Sequence, residues 1–325
     1  MSVSIRNTAD QFLSADELQD LKRASDGVGV RVLAGIWGLI VLTFTIVALY
    51  PHPLVILGAL FVLGGRQLAL AVAMHEAAHK SLFHTRSLNE WCGQWLSAHP
   101  VFQDMLRYRK HHLSHHRYTG TAQDPDLKLA SGFPISRASF SRKLLRDLSG
   151  ITGAKVMLGT LLMLSGVMRY DVSGNVQMID QSGLSTGERL HTAWRGLRGP
   201  LLMQVLLFTA VWVCGVPWLY LVWFGAWLTT YQLFLRIRSI AEHAMTPDPY
   251  DALNNARTTR ARWWEKLFYA PLNVSYHLEH HMLVTAPQYQ LPRMHRLLQA
   301  RGAFDAQPAS LADSYGDVLR MTVRP

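Results

Sequence analysis

The sequence predicts an all-α integral membrane protein: four transmembrane helices as two hairpins, with a cytoplasmic helical cap that carries clustered histidines. Three observations predict it. Long apolar runs come in two pairs, and each pair is broken by a proline-containing turn. Charged residues are only 17% of the 325, against 49% hydrophobic; soluble domains carry about 25% charged residues. Lysine and arginine are absent from both turns and collect almost entirely in the N-terminal segment, residues 80–198 and residues 236–325.

The elements follow in order. Residues 32–50 are uncharged and apolar. At about 1.5 Å per residue they can cross about 30 Å of hydrocarbon. Pro51-His52-Pro53 interrupts the helix, because proline lacks a backbone donor. Residues 54–74 form a second run, broken only by Arg66 and Gln67. Arg66 is expected to snorkel to the headgroups. The second hairpin spans 199–215 and 218–236, turning at Gly215-Val216-Pro217. Its Trp212, Trp218, Tyr220, Trp223, Trp227 and Tyr231 suit a membrane interface or a packed bundle. A fifth apolar stretch, Val156 to Val167, is too short to span and reads as an interfacial or buried helix. No linker or internal repeat divides the chain, so residues 1–325 are read as one domain.

Basic residues collect on the cytoplasmic face of membrane proteins. Segments 1–31, 75–198 and 237–325 are therefore expected to be cytoplasmic. The formal net charge of +10 is then explained by topology and contact with anionic lipid. Nucleic-acid binding would need a soluble basic face with a reader motif, and neither is present. Cys92 and Cys214 form no Cys-x-x-Cys pair, which excludes a disulfide framework or a thiolate metal site. The first residues lack the pattern of a signal peptide. A compact chain with no fused carrier and no retrieval tail suggests a bacterial inner membrane.

Histidine is the anomaly. His75-Glu76-Ala77-Ala78-His79 closes the second run, with its two imidazoles four residues apart on one helix face. The same pattern is the His-Glu-x-x-His of zinc proteases, so His75, Glu76 and His79 alone leave both readings open. His112, His115 and His116 have i, i+3, i+4 spacing, and His277, His280 and His281 repeat it. His243 follows the last span. These nine are the candidate metal ligands and catalytic residues. The predicted topology puts all nine beneath one face of the bilayer. One zinc site needs three or four ligands, so nine imidazoles fit two metals. Imidazole suits iron, zinc, copper and nickel alike, which leaves the metal open. Few carboxylates lie inside the clusters, so redox chemistry is expected ahead of hydrolysis. His111 points away from its neighbours. His84, His99 and His295 complete no i, i+4 pair with a cluster residue and are assigned surface or packing roles, and His52 lies at the outer tip.

At these residues the chain resembles the membrane fatty acid desaturase and hydroxylase superfamily. His75-x-x-x-His79, His112-x-x-His115-His116 and His277-x-x-His280-His281 match that family's three histidine boxes in order. Arg109 before the second box, Asp124-Pro125-Asp126 after it, Glu242-His243, Asn255-Ala256-Arg257-Thr258-Thr259, Asn273-Val274-Ser275-Tyr276 and Leu291-Pro292-Arg293-Met294-His295 agree with it. The resemblance implies two irons (a diiron centre), O₂ as co-substrate, a lipid or fatty acyl substrate, and the nine histidines as ligands. It implies a desaturase first, and a hydroxylase, ketolase or decarboxylase with the same chemistry as alternatives. His99-Pro100 is not followed by the paired glycines of a cytochrome b5-like domain, so the electrons are expected from an external carrier of ferredoxin or cytochrome type. Asp124, Asp126, Glu76, Glu242 and Glu279 are the carboxylates available to orient the ligands. Asp124-Pro125-Asp126 reads equally as a turn or cap. After His281 the chain continues Met282-Leu283-Val284-Thr285-Ala286-Pro287, where many acyl desaturases have a Leu-Phe-Pro-like run, and this departure bears on the substrate. Two readings from other classes are a membrane zinc protease built on His75, Glu76 and His79, and a histidine-rich metal carrier.

Overall fold

The computed structural model describes residues 8–170, 176–248, 250–305 and 310–324. Among them helices dominate, and the strands form three two-stranded pairs.

The first hairpin forms as the apolar runs require. Helix α1 (Asp26–Leu49) and helix α2 (Pro53–Ala78) are joined by a tight turn. Pro53 suits a first helical position, where its missing N–H costs nothing, and the His52 ring accepts from Leu54 N at 3.3 Å. Leu33, Ile36, Ile40, Thr43 and Val47 are buried at the three- and four-residue steps of one helix face. That face packs on α2. Val41, Leu42, Ile46 and Leu49 point outward and are exposed.

Helix α2 changes character along its length. Leu54 and Leu57 are exposed, whereas every residue from Leu63 to Ala78 is buried. This second half forms the centre of the main core, against Trp223, Trp227 and Phe234. Gly64 and Gly65 permit the approach: a Cβ would strike Thr230 at the first and the Leu267 carbonyl at the second. Arg66 does not snorkel. It is 7% exposed and donates to the carbonyls of Lys266, at 3.3 Å, and Leu267. Those carbonyls end a short helix and have no partner within it, so one guanidinium nitrogen, Nη2, is answered inside the protein, while Nε is buried without a partner.

Helix α3 (Met105–Tyr118) is N-capped by Asp104, which accepts from Arg107 N at 2.9 Å. Helices α4 (Arg137–Leu148) and α5 (Ile151–Leu164) meet at a 64° bend. Helix α6 (Thr186–Val213) begins well before the expected 199, at a capping box of Ser185 and Glu188, and carries Pro200 within it. The expected span 218–236 is two helices, α7 (Leu219–Leu228) and α8 (Thr230–His243). The break is at Thr229, with φ −117° and ψ −84°. Gly225 O accepts both the Thr229 backbone N–H, at 3.1 Å, and the Thr229 hydroxyl, at 2.6 Å. Among the described residues, three helices, α1, α2 and α6, are long and apolar enough to cross a membrane, or up to four spans if α4 and α5 count as one bent span.

Toward the C-terminus lie α9 (Trp263–Phe268), α10 (His277–Met282), α11 (Leu291–Ala300) and α12 (Tyr315–Thr322). The strand pairs act as ties. Thr258 and Thr259 pair in parallel with Leu311 and Ala312, and Thr258 also bridges to Tyr276 at the start of α10. Ile135 and Ser136 pair with Val323 and Arg324. The strand at Thr258 and Thr259 contacts both α8 and α10, and α12 packs on α8.

Candidate metal centre

The end of α2, the length of α3, the end of α8 and all of α10 bring nine histidines together. They fall into two sets. His75, His79, His112, His116 and His280 form one, and His115, His243, His277 and His281 the other. Within each set the ring nitrogens lie within 4.8 Å of one another. The sets adjoin: the His116 and His281 rings are 4.3 Å apart.

The repeated spacing explains the division. On a helix, i and i+4 differ by about 40° and i+3 is turned the other way. Helix α3 sends His112 and His116 to the five-membered set and His115 to the other. Helix α10 does the reverse, sending His277 and His281 to the four-membered set and His280 across. Each triplet thus splits between two sets, where its spacing suggested a single shared face.

Distances fit a pair of ions. His112 and His116 Nε2 are 2.9 Å apart, and His116 and His280 Nε2 3.1 Å. In the other set His243 and His277 Nε2 are 2.8 Å apart, and His277 and His281 Nε2 3.1 Å. Two nitrogens bound at a right angle, each ~2.1 Å from one ion, would be separated by ~3.0 Å. Both nitrogens of His75, and Nε2 of His79, are buried without any hydrogen-bond partner. Buried polar atoms are rarely left so, and an ion would satisfy them.

Protonation agrees. Burial, reinforced by neighbouring imidazoles, holds His112, His116, His277, His280 and His281 well below the usual histidine value. Burial brings His79 and His243 down to about 3. Each is therefore neutral at pH 7 with a lone pair to give. His115 differs. Burial opposes its charged form, but the Asp124 hydrogen bond and the nearby carboxylates outweigh that and raise it.

Supporting contacts fix ring orientation. Asp124 Oδ1 lies 2.8 Å from His115 Nδ1, while also accepting from Asp126 N at 2.8 Å, and its Oδ2 accepts from Gly120 N at 2.7 Å. It is both turn cap and histidine partner. Asp126 pairs instead with His111 at 2.8 Å and stands 3.9 Å from His115. His243 Nδ1 faces the Asn255 carbonyl at 3.1 Å. Glu76 and Glu242 each lie 3.5 Å from a ring Nδ1, of His75 and His277. Glu279 reaches no histidine of either set and instead holds His295 at 2.5 Å. Arg109 donates to the carbonyls of Ala77 and Ala78, each at 2.9 Å, and pairs with Glu90 at 2.7 Å, which anchors the end of α2 beside His79.

His84, His99, His111 and His295 lie outside both sets. The sequence reading missed two side chains, Glu90 and Arg238. Arg238 donates to Glu242 at 2.6 Å. An i, i+4 charge pair closing an apolar run was the signal that could have found it.

Fold and site together define a membrane protein with a nine-histidine centre suited to two metal ions. The family to which it belongs follows from sequence comparison. The fatty acid desaturase family model matches residues 51–310, and the chain is a member of that family. It is also similar to dihydrorhizobitoxine desaturase of Bradyrhizobium elkanii, with 27% identity over 272 residues, covering 80% of this chain and 71% of that protein.

Proposed function

We propose that the chain is an O₂-dependent diiron oxidoreductase that desaturates a fatty acyl or lipid chain. His75, His79, His112, His116 and His280 would hold one iron, and His115, His243, His277 and His281 the other. The observation that carries this reading is the division of nine clustered imidazoles into two adjoining sets. Two irons bound there would supply the one-electron chemistry that turns O₂ against an unactivated C–H bond.

The protein's own residues have three tasks. Neutral, buried rings present lone pairs without first losing a proton. Asp124 and the Asn255 carbonyl fix the tautomers of His115 and His243 by taking Nδ1–H, which turns Nε2 inward. Burial of the rings keeps water from the reacting bond. The zinc protease reading has less support. Glu76 Oε2 already accepts from Gln288 N at 2.9 Å and from Ser81 Oγ at 3.2 Å, so it is tied to structure rather than free to act as a base.

The distribution of basic residues supports a cytoplasmic centre, and we propose four spans in two hairpins and a bacterial inner membrane as the location. The same distribution supports a separate, acidic ferredoxin or cytochrome as electron donor. A relative named as a desaturase favours desaturation over hydroxylation, ketolation or decarboxylation. The test is lipid profiling under ¹⁸O₂ of cells expressing the chain or its His280→Ala variant, with metal analysis of the purified protein. Desaturation gives new double bonds without ¹⁸O, dependent on His280, and about two irons per chain. Product labelled with ¹⁸O would mean hydroxylation or ketolation. One zinc, or no His280-dependent lipid change, would overturn the reading.

A further inference from the structure

Arg238 is the one charged side chain of α8 that the proposed chemistry leaves without a full explanation. It is 8% exposed, yet only its Nε is used by the protein, in the bond to Glu242 Oε1 at 2.6 Å. Among the described residues, Nη1 and Nη2 donate to no protein acceptor. An arginine carries five donors in a rigid fork, and the two nitrogens without a protein acceptor are not among the fully buried unpartnered atoms, so they face accessible space.

The surroundings add to the deficit. Tyr231 lies seven residues earlier on α8, two turns along the same face, and is 5% exposed. Tyr315 of α12 is 2% exposed, and α12 packs on α8. Tyr108 stacks on His112 with centroids 5.1 Å apart. Among the described residues no hydroxyl of the three makes a hydrogen bond with protein. Burial pushes the Tyr108 and Tyr315 phenols up, and the Arg238 charge pulls against that in both. Tyr108 and Tyr315 are therefore neutral donors that feel the guanidinium charge. The centre is adjacent: Glu242, which takes Arg238 Nε, stands 3.5 Å from His277 Nδ1.

We propose that Arg238, with Tyr108, Tyr231 and Tyr315, is a subsite for a carboxylate of the substrate, placed beside the metal centre. This rests on the oxidoreductase reading above and narrows its substrate class. The acid end, not a remote methylene, is presented to the metals, and the oxidised carbon lies within a few bonds of the carboxylate. Guanidinium and carboxylate match as two parallel hydrogen bonds, and the phenols supply the remaining donors.

The experiment uses the iron-loaded full chain in detergent and two probes of one length, hexanoate and hexanol, titrated calorimetrically. Wild type is expected to bind hexanoate about tenfold more tightly than hexanol. Arg238→Gln should abolish that preference while hexanol binding stays unchanged. Glu242→Gln leaves the Arg238 donors in place and should keep the preference, which separates anion binding from the orienting of Glu242. If Arg238→Gln does not fold, Tyr315→Phe should weaken hexanoate about threefold and leave hexanol alone. No preference in wild type, or a preference that survives Arg238→Gln, or for an unfolded Arg238→Gln an unchanged preference in Tyr315→Phe, overturns the proposal. Iron content and lipid oxidation are read separately. A protein with about two irons that oxidises lipid but ignores the carboxylate defeats this inference alone. A protein that prefers the carboxylate but holds no iron defeats the functional reading alone.

Discussion

Replacing Asp124 by asparagine tests whether the two histidine sets act separately. The substitution keeps size and shape. It removes one of two carboxylate oxygens, whose duties are His115 Nδ1 at 2.8 Å, Asp126 N at 2.8 Å and Gly120 N at 2.7 Å. The amide nitrogen cannot accept, so either the Gly120 bond or both the His115 and Asp126 bonds are lost, and in either case the negative charge beside His115 goes. Loss of such a partner costs about 10- to 100-fold in metal affinity, or roughly 1.4 to 2.7 kcal/mol. Only the four-membered set contains His115. The five-membered set touches Asp124 through no hydrogen bond among the described residues. At limiting iron, the variant should therefore hold about one iron per chain where wild type holds about two. Plasma emission analysis gives the count, and Mössbauer spectroscopy shows whether the remaining iron is a single uncoupled species. Equal loss from both sets would refute separate sites. An unchanged count at limiting iron would refute the role given to Asp124.

Three further predictions follow from the same geometry. His280→Ala and His281→Ala, adjacent in sequence, should remove iron from different sets, and the two variants should give distinguishable spectra of the residual iron; identical spectra would contradict the division. Gly65→Ala should destabilise the protein by about 1–3 kcal/mol, as overpacking does, because the new Cβ meets the Leu267 carbonyl; an unchanged melting temperature would contradict the close packing of α9 on α2. The metal-free protein should lose stability as pH falls below 6.5. His79 and His243 titrate at about 3 when folded, against the usual 6.5, so acid protonates the unfolded chain first, at up to about 1.4 kcal/mol per pH unit for each group. His115, raised above the usual value, works in the opposite direction, but it is one group against several. A melting temperature that stays level or rises between pH 7 and pH 5 would contradict this.

Some of this architecture was legible in the sequence because it depends on local pattern. The hairpin of α1 and α2 needs only two apolar runs and a Pro-His-Pro turn. The nine histidines were legible because metal ligands on helices must keep i, i+3, i+4 spacing. What escaped depends on distant chain. Residues 218–236 run apolar through Thr229 with no proline or glycine at that point, so the local pattern does not show the change of backbone direction there, at φ −117° and ψ −84°. Arg66 looked interfacial because nothing near it in sequence shows that residues 263–268 fold back to meet it. The partner of Asp126 could not be told from that of Asp124, since both flank one proline and only the fold decides which faces His115 and which His111. The splitting of each triplet was within reach of helical geometry, but which half joins which set depends on how α3 and α10 face each other.

Anomalous scattering at the iron edge, on crystals of the iron-loaded protein, tests the central claim most directly. Two peaks are predicted, one enclosed by His75, His79, His112, His116 and His280 and the other by His115, His243, His277 and His281. A single peak, or a signal that appears at the zinc edge in place of iron, would contradict it.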